Sequence, residues 1–346
     1  MIIQLFVTCL MYADSSHLAQ GIQLDPVPAD NQYFLQNPSS FDVDEKGNYY
    51  LLDFRSKVVF IWDKNGAFIR TICQPGNGPG EFTFRGANGT GFLSVAGDRL
   101  FVFDGWKTSV QIFELNGTYI KSTPLISNRS RALDFAVTRE GQFILLLRHA
   151  REDGRYLIVE TFDSDGNSLN TLASMKDTSY EIRLTDKQKQ VTIMAFHPTL
   201  VTSFNGRDKQ IIIGNSQEPS FQVFDMSSKS CTIKAPLKRL PVTHEDIAEL
   251  EEVHEKKRLP PTLIFPDHKP CYTHLHSLGN KGFLAYTQSP SYGKISGIYL
   301  DRQGQVKGRF KLDCGIGGGL LGNGDRVLNV LLTPEGEFVL RELIPL

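Results

Sequence analysis

Apolar and polar positions alternate in short runs along Phe41–Ile72, and turn residues separate the runs. Runs this short, bounded by turn residues, predict strands rather than helices. Strand A covers Phe41–Asp44 and ends in a turn at Gly47. Strand B is Tyr49–Asp53. Strand C is Val58–Trp62, rich in β-branched and aromatic residues. Asp63–Gly66 is a tight turn, because Asp bonds the backbone ahead of it and Gly supplies φ > 0. Strand D is Phe68–Ile72. Such a meander cannot bury both faces alone, so it must stack on others like it.

Worn copies follow. Gly47, Gly97, Gly141, Gly206, Gly282 and Gly336 mark the A–B turns. A second turn follows in most copies: Asp63–Gly66, Asn116-Gly117, Asp163–Gly166, the weaker Asp225–Ser228, then Asp301–Gly304. Two turns in fixed order define a four-stranded unit. The copies run Phe92–Thr123, Leu133–Leu172 (with a charged B–C link at His149–Arg155), Leu200–Ala235 and Cys271–Leu312. Val327–Leu343 supplies only two strands, and Cys314–Asp325 reads as a Gly-rich connector before it. An incomplete last unit needs a strand from the other end of the chain, and His17–Leu35 is its expected source. Closing the ring this way removes a free edge. Between the fourth and fifth copies, Thr243–Lys257 predicts a helix. Thr243 is its N-cap, Asp246 its third residue, and Ile247, Leu250 and Val253 its apolar stripe. It reads as packed on a rim of the disc, with a mobile lid as the functional alternative.

The chain has 346 residues, 40% of them hydrophobic, enough for a sizeable core, and a net charge of −1. Nucleic acid is not expected as a partner, since phosphate binding needs a basic field. Met1–Ala13 is apolar but too short to span a membrane. It resembles the apolar part of a secretory signal, so residues 1–16 are assigned as a signal or truncated export segment and 17–346 as one repeat domain. Export to the periplasm or outside, with or without a membrane anchor, is the expectation. The five cysteines Cys9, Cys73, Cys231, Cys271 and Cys314 form no close pair, which argues against a zinc knuckle. Cys73, Cys231 and Cys314 fall at or near the ends of strands D and read as buried small hydrophobes.

Asn37–Asp53 followed by Gln74–Phe82 resembles NHL-type repeats and bacterial six-bladed β-propeller proteins. In these a Pro enters the innermost strand and a Gly-Pro-Gly-Glu-Phe connector leaves the outermost. Pro38, Pro198 and Pro270 each precede a predicted strand A, and Gly78–Phe82 follows the first strand D. The resemblance implies an all-β fold: a six-bladed β-propeller of four-stranded antiparallel blades, closed by an N-terminal strand, with a helical insertion at about 243–258. It implies little about activity, because one fold hosts many functions.

Candidate chemistry is sparse. Gln74–Phe82 lacks the Gly-Lys-Ser/Thr of a phosphate loop. Asp42 and Asp44 share a strand face and could form a Ca²⁺ or acid/base pair, although turn bonding explains them as well. No Gly-x-Ser-x-Gly elbow occurs, and no triad is legible. His274 and His276 lie two apart on a predicted strand, so imidazoles there share a face. With His197 they form the candidate metal set, since related propeller lyases place a metal at the central channel using histidines from different blades. Arg85, His197, Asp267 and His268, with Pro38, are candidates for a ligand or protein partner on the rim where strands A begin. Two readings follow: an exported monomeric binding or scaffold propeller, and a metal-dependent lyase or hydrolase at the channel mouth. No other cofactor is indicated.

Overall fold

A computed structural model describes residues 18–84, 90–125, 130–184, 189–205, 210–225, 230–255, 261–287, 294–313, 319–323, 326–333 and 335–345. Gly206, Cys9, Cys314 and residues 1–16 lie outside them. Six four-stranded antiparallel sheets form the blades, lettered A to D from the axis outwards. Blade one is Pro38–Val43, Tyr49–Asp53, Val58–Trp62 and Phe68–Ile72. Strand A thus begins earlier than the apolar pattern marks, at Pro38 itself. Blade two is Gly91–Ala96, Arg99–Asp104, Ser109–Glu114 and Tyr119–Pro124. Blade three is Ser130–Val137, Phe143–Arg151, Gly154–Phe162 and Ser168–Lys176. Blade four is Leu200–Asn205, Gln210–Asn215, Ser220–Asp225 and Ser230–Lys234. Blade five is His274–Ser277, Phe283–Thr287, Lys294–Leu300 and Val306–Asp313.

Blade six takes strands from both ends of the chain. Gly319–Asn323, Arg326–Leu332 and Phe338–Pro345 are its strands A to C, and Leu18–Gln23 is its strand D. Leu18 pairs with Pro345 and Gln23 with Arg341. The C-terminal part therefore supplies three strands, not two. Its innermost strand lies in the segment read as a connector, where glycines hide any alternation. Gly336 consequently turns strand B into strand C rather than A into B.

The cores lie between blades. Six apolar clusters fill the gaps, such as Phe101, Phe103, Phe135 and Phe143 between blades two and three. Full burial of a phenylalanine such as Phe143 contributes about 2–3 kcal/mol. Cys271 is buried in one cluster, Cys73 is half-buried, and Cys231 is exposed, against its reading as a core residue. Its strand is the outer one, where Ser230, Cys231 and Thr232 are all exposed.

Polar side chains stitch neighbouring strands A together. The Asp42 carboxylate accepts from Val95 N–H of blade two at 2.6 Å, and Ser94 Oγ accepts from Val137 N–H of blade three at 3.3 Å. Ser203 Oγ of blade four accepts from Ser277 N–H of blade five at 3.0 Å. Each accepting side chain sits one step before an inner hairpin pair: Val43 with Tyr49, Val95 with Leu100, and Phe204 with Ile211. Asp44, by contrast, caps its own turn, accepting from Lys46 N–H at 2.9 Å and Asn48 N–H at 2.8 Å. The two aspartates are thus employed separately in the fold.

Helix α1 spans His244–Glu255. Thr243 Oγ1 accepts from Asp246 N–H at 3.3 Å, and the Asp246 carboxylate accepts from Thr243 N–H at 2.8 Å, a capping box as expected. Asp246 is buried and forms an ion pair with Lys269 at 2.6 Å. The Gln74–Phe82 connector folds on itself, with the Glu81 carboxylate accepting from Gly78 N–H at 2.8 Å.

Candidate functional site: the axial cavity

Strands A surround a cavity of about 530 Å³. Every blade contributes, from Ser39 and Ser40 in blade one round to Leu320–Gly322 in blade six. The chain enters each strand A from one face of the disc, which the blade-to-blade connections cross. The two longest of these connections are residues 177–199 before blade four and residues 235–273 before blade five. Both therefore build up the face from which strands A descend, where loops near the axis converge. They meet in one small sheet, in which Lys189–Met194 pairs antiparallel with Tyr180–Leu184 and parallel with Thr262–Ile264. That sheet is absent from the sequence reading, although Tyr180, Ile182 and Leu184 alternate with Glu181 and Arg183.

Blade three adds a wall. Strands B and C run nine residues each and join through a two-residue turn between Arg151 and Gly154. The segment read as a charged loop is thus a hairpin arm, paired through its backbone whatever its side chains. Arg148 on this arm forms an ion pair with the buried Asp177 at 2.6 Å. Burial pushes the Asp177 carboxyl up, but hydrogen bonds from Ser179 and the Arg148 charge outweigh it and hold the group below the usual range.

Phe196 and His197 lean over the cavity from the first insertion. Phe196 has φ 50, a left-handed conformation uncommon for an aromatic residue. Its neighbour Ala195 donates N–H to Ile264 O at 2.8 Å, which ties it to the second insertion. Lys269 Nζ lies 5.6 Å from the centre of the Phe196 ring. Backbone strain of this kind persists only where the surroundings enforce it.

Three sequence candidates do line this cavity: His197, His274 and His276. Their settings differ. His197 Nδ1 lies 3.3 Å from Met194 O. A carbonyl only accepts, so the hydrogen sits on Nδ1 and Nε2 is the acceptor. Burial holds its pKa below the ordinary imidazole range, with Asp177 opposing. His274 opens onto the cavity, bonds Thr273 Oγ1 at 3.2 Å, and is likewise held low by desolvation. His276 is buried, one step before the inner pair Ser277 with Phe283. It occupies the register position of Asp42, Ser94 and Ser203, and its ring lies directly against Gly322 of blade six. It is a blade-to-blade residue by placement. Among the described residues, no group of three or more His, Cys, Asp or Glu side chains is placed to hold a metal ion.

The remaining candidates are dispersed. Arg85 lies outside the described residues. Asp267 and His268 are exposed on the second insertion and line no part of the cavity. Asp267 O accepts from Val242 N–H at 3.0 Å, and His268 bridges Pro241.

The sequence reading missed Asp134. It sits in strand A of blade three, in the cavity wall. Its Oδ1 accepts from Phe135 N–H at 2.9 Å, and its Oδ2 accepts from the Thr202 hydroxyl of blade four at 2.7 Å. Blade three has Ala136 where Asp42 and Ser94 make their links, so Asp134 joins blades three and four two residues earlier, nearer the mouth. Burial raises its pKa to about 6, with the Thr202 and Phe135 hydrogen bonds opposing. One acid inside the apolar run Ala132–Val137 was the available signal.

The family model for six-bladed β-propellers designated DUF5128 matches residues 31–85, which hold blade one and its connector. A DUF4221-family protein of Bacteroides vulgatus superposes with TM-score 0.57 at 13% identity, covering 95% of this chain and 99% of that one. A Bacteroides fragilis protein described as exported gives TM-score 0.54 at 10% identity, covering 96% of this chain and 97% of that one. No curated protein matches this chain by sequence. The NHL-type part of the sequence resemblance gains no support from these matches. With blades, closure and a family match in agreement, the chain is a six-bladed β-propeller whose structural relatives are bacterial propeller proteins.

Proposed function

We propose that this protein is an exported binding propeller whose ligand is a small molecule held in the axial cavity. The observation that carries this reading is the cavity itself: all six strands A line it, and two insertions raise its wall on one face. A concave, mostly apolar space with a few converging polar groups is the usual form of a ligand site. The apolar opening segment and the exported relative favour export, and no described helix is long and apolar enough to cross a membrane. The test is a small-molecule panel scored by melting temperature on the wild type and on Thr273→Trp, which fills the mouth. Compounds that stabilise only the wild type are expected. If every stabilising compound acts equally on both, or none acts, the small-ligand reading fails and a protein partner on the rim takes its place.

A second reading, a metal-dependent lyase or hydrolase, rests on His197, His274 and His276 facing one cavity. Metal analysis of protein purified without chelator decides it: stoichiometric metal, lost in His274→Ala, is its expected result, and absence of metal ends it.

A further inference from the structure

We infer that the axial cavity selects a ligand with a protonated amine on an apolar or aromatic body, with the Asp134 carboxylate as its counter-ion. This rests on the binding reading above and specifies its ligand class.

Among the described residues, the lining holds one carboxylate, Asp134, and no lysine or arginine. On the built-up face Lys269 pairs with Asp246 and Arg148 with Asp177, each at 2.6 Å, and Arg131, three residues before Asp134 on the same strand, stands outside the lining. An anionic ligand would therefore lose its water against a carboxylate with no cation in the wall to replace it. An ammonium meets the opposite situation. Thr202 and Phe135 N–H fix the Asp134 carboxylate while using one acceptor site on each oxygen. A carboxylate offers about four such sites, so others remain for a ligand. Phe92, Phe196 and Tyr286 supply aromatic surface in the same wall. Aromatic faces attract cations and accommodate apolar bodies alike. The left-handed backbone at Phe196 fixes that ring at the mouth, where an entering ligand would meet it.

The test compares phenethylamine, 2-phenylethanol and phenylacetate, which share a body and differ in charge, by NMR titration of the wild type at pH 7.5. Ring signals of His197 and His274 report on the cavity. Phenethylamine is expected to shift them and to bind about tenfold tighter than either other probe, the worth of one charge-assisted hydrogen bond. In Asp134→Asn that preference disappears. Equal binding of the three probes, or tighter binding of phenylacetate, overturns the charge assignment and leaves the cavity reading intact. Shifts from none of them overturn both. The wild-type comparison decides the matter even if the variant does not fold.

Discussion

Tyr49 of blade one donates its hydroxyl to the Glu342 carboxylate of blade six at 2.8 Å, across 293 positions of sequence. Arg326 completes the group, 2.6 Å from Glu342 and 3.1 Å from the tyrosine oxygen. The group sits at the seam where the ring closes, beside strands that come from opposite chain ends. Tyr49→Phe removes two hydrogen bonds, one donated to Glu342 and one accepted from Arg326, and should cost about 1–2 kcal/mol. Glu342→Ala leaves Arg326 and the tyrosine hydroxyl without their acceptor and should cost more, about 2–3 kcal/mol, since Arg326 keeps some solvent. Urea midpoints at constant m-value measure both. Equal effects of the two variants would refute the seam as a coupled unit.

Gly166 and Gly141 share a backbone conformation, with φ 88 and φ 82. Their surroundings differ. A Cβ on Gly166 would strike the Pro124 carbonyl of the preceding blade, whereas one on Gly141 meets nothing within 4 Å. Gly66 and Gly304 repeat the Gly166 arrangement against Gln23 and Lys234. These outer turns lock blades one, three and five onto the last strand of the preceding blade. Gly141→Ala should then cost only the left-handed backbone penalty, about 1 kcal/mol. Gly166→Ala should cost that plus a steric term, at least about 2 kcal/mol in all. Thermal or urea unfolding of the pair isolates the latch, and matching losses would disprove it.

These turns were legible in the sequence because a positive φ restricts residue choice, so Gly47, Gly66, Gly117 and Gly166 announce themselves. Strands B and C were legible because both their faces are buried, as in Tyr49–Asp53 and Val58–Trp62. Strand A of blade six was not, since Gly319–Asn323 carries little side chain to show alternation. The site was less readable still. Asp134 matters through Thr202, 68 positions away, and His276 through Gly322 of another blade. Such roles depend on which strands become neighbours at the axis, which no local pattern encodes. One overlooked signal was Asp53 at the end of strand B. Its carboxylate accepts from Gln36 and Asn37 N–H, both at 2.7 Å, and blade two repeats this with Asp104 and Thr83 N–H at 2.9 Å.

Asp246 holds helix α1 twice, through the Thr243 cap and through Lys269. The Lys269 side chain is only 7% exposed, so Asp246→Ala strands a buried ammonium. Breaking such a pair from one side costs about 3–5 kcal/mol. The helix belongs to an insertion rather than a blade, so the loss should fall locally. Hydrogen exchange of 244–255 is expected to rise strongly in Asp246→Ala while the global melting temperature moves little. A fall in global stability by the full amount would show instead that the insertion and the ring unfold together.

The raised pKa of Asp134 sets a pH dependence whose sign is opposite to that of Asp63 and Asp301. In the unfolded chain the group titrates near 4, and in the folded protein near 6. Between those values the folded state keeps a proton that the unfolded state has released, so this contribution weakens folding as pH rises through the interval. Asp63 and Asp301, held low by turn N–H groups, act the other way but complete their effect near the unfolded pKa. His197 and His274, held low by desolvation among the surrounding side chains, add stability as pH rises toward 6.5 and partly mask Asp134 in the wild type. Subtracting Asp134→Asn from the wild type cancels those shared terms. The variant should gain on the wild type between pH 4.5 and pH 7.5, because asparagine keeps an acceptor for Thr202 without a charge to desolvate. Paired urea midpoints at the two pH values measure this gain. If the difference between the two proteins does not change with pH, the carboxyl titrates as a solvated one and does not face a dry cavity wall.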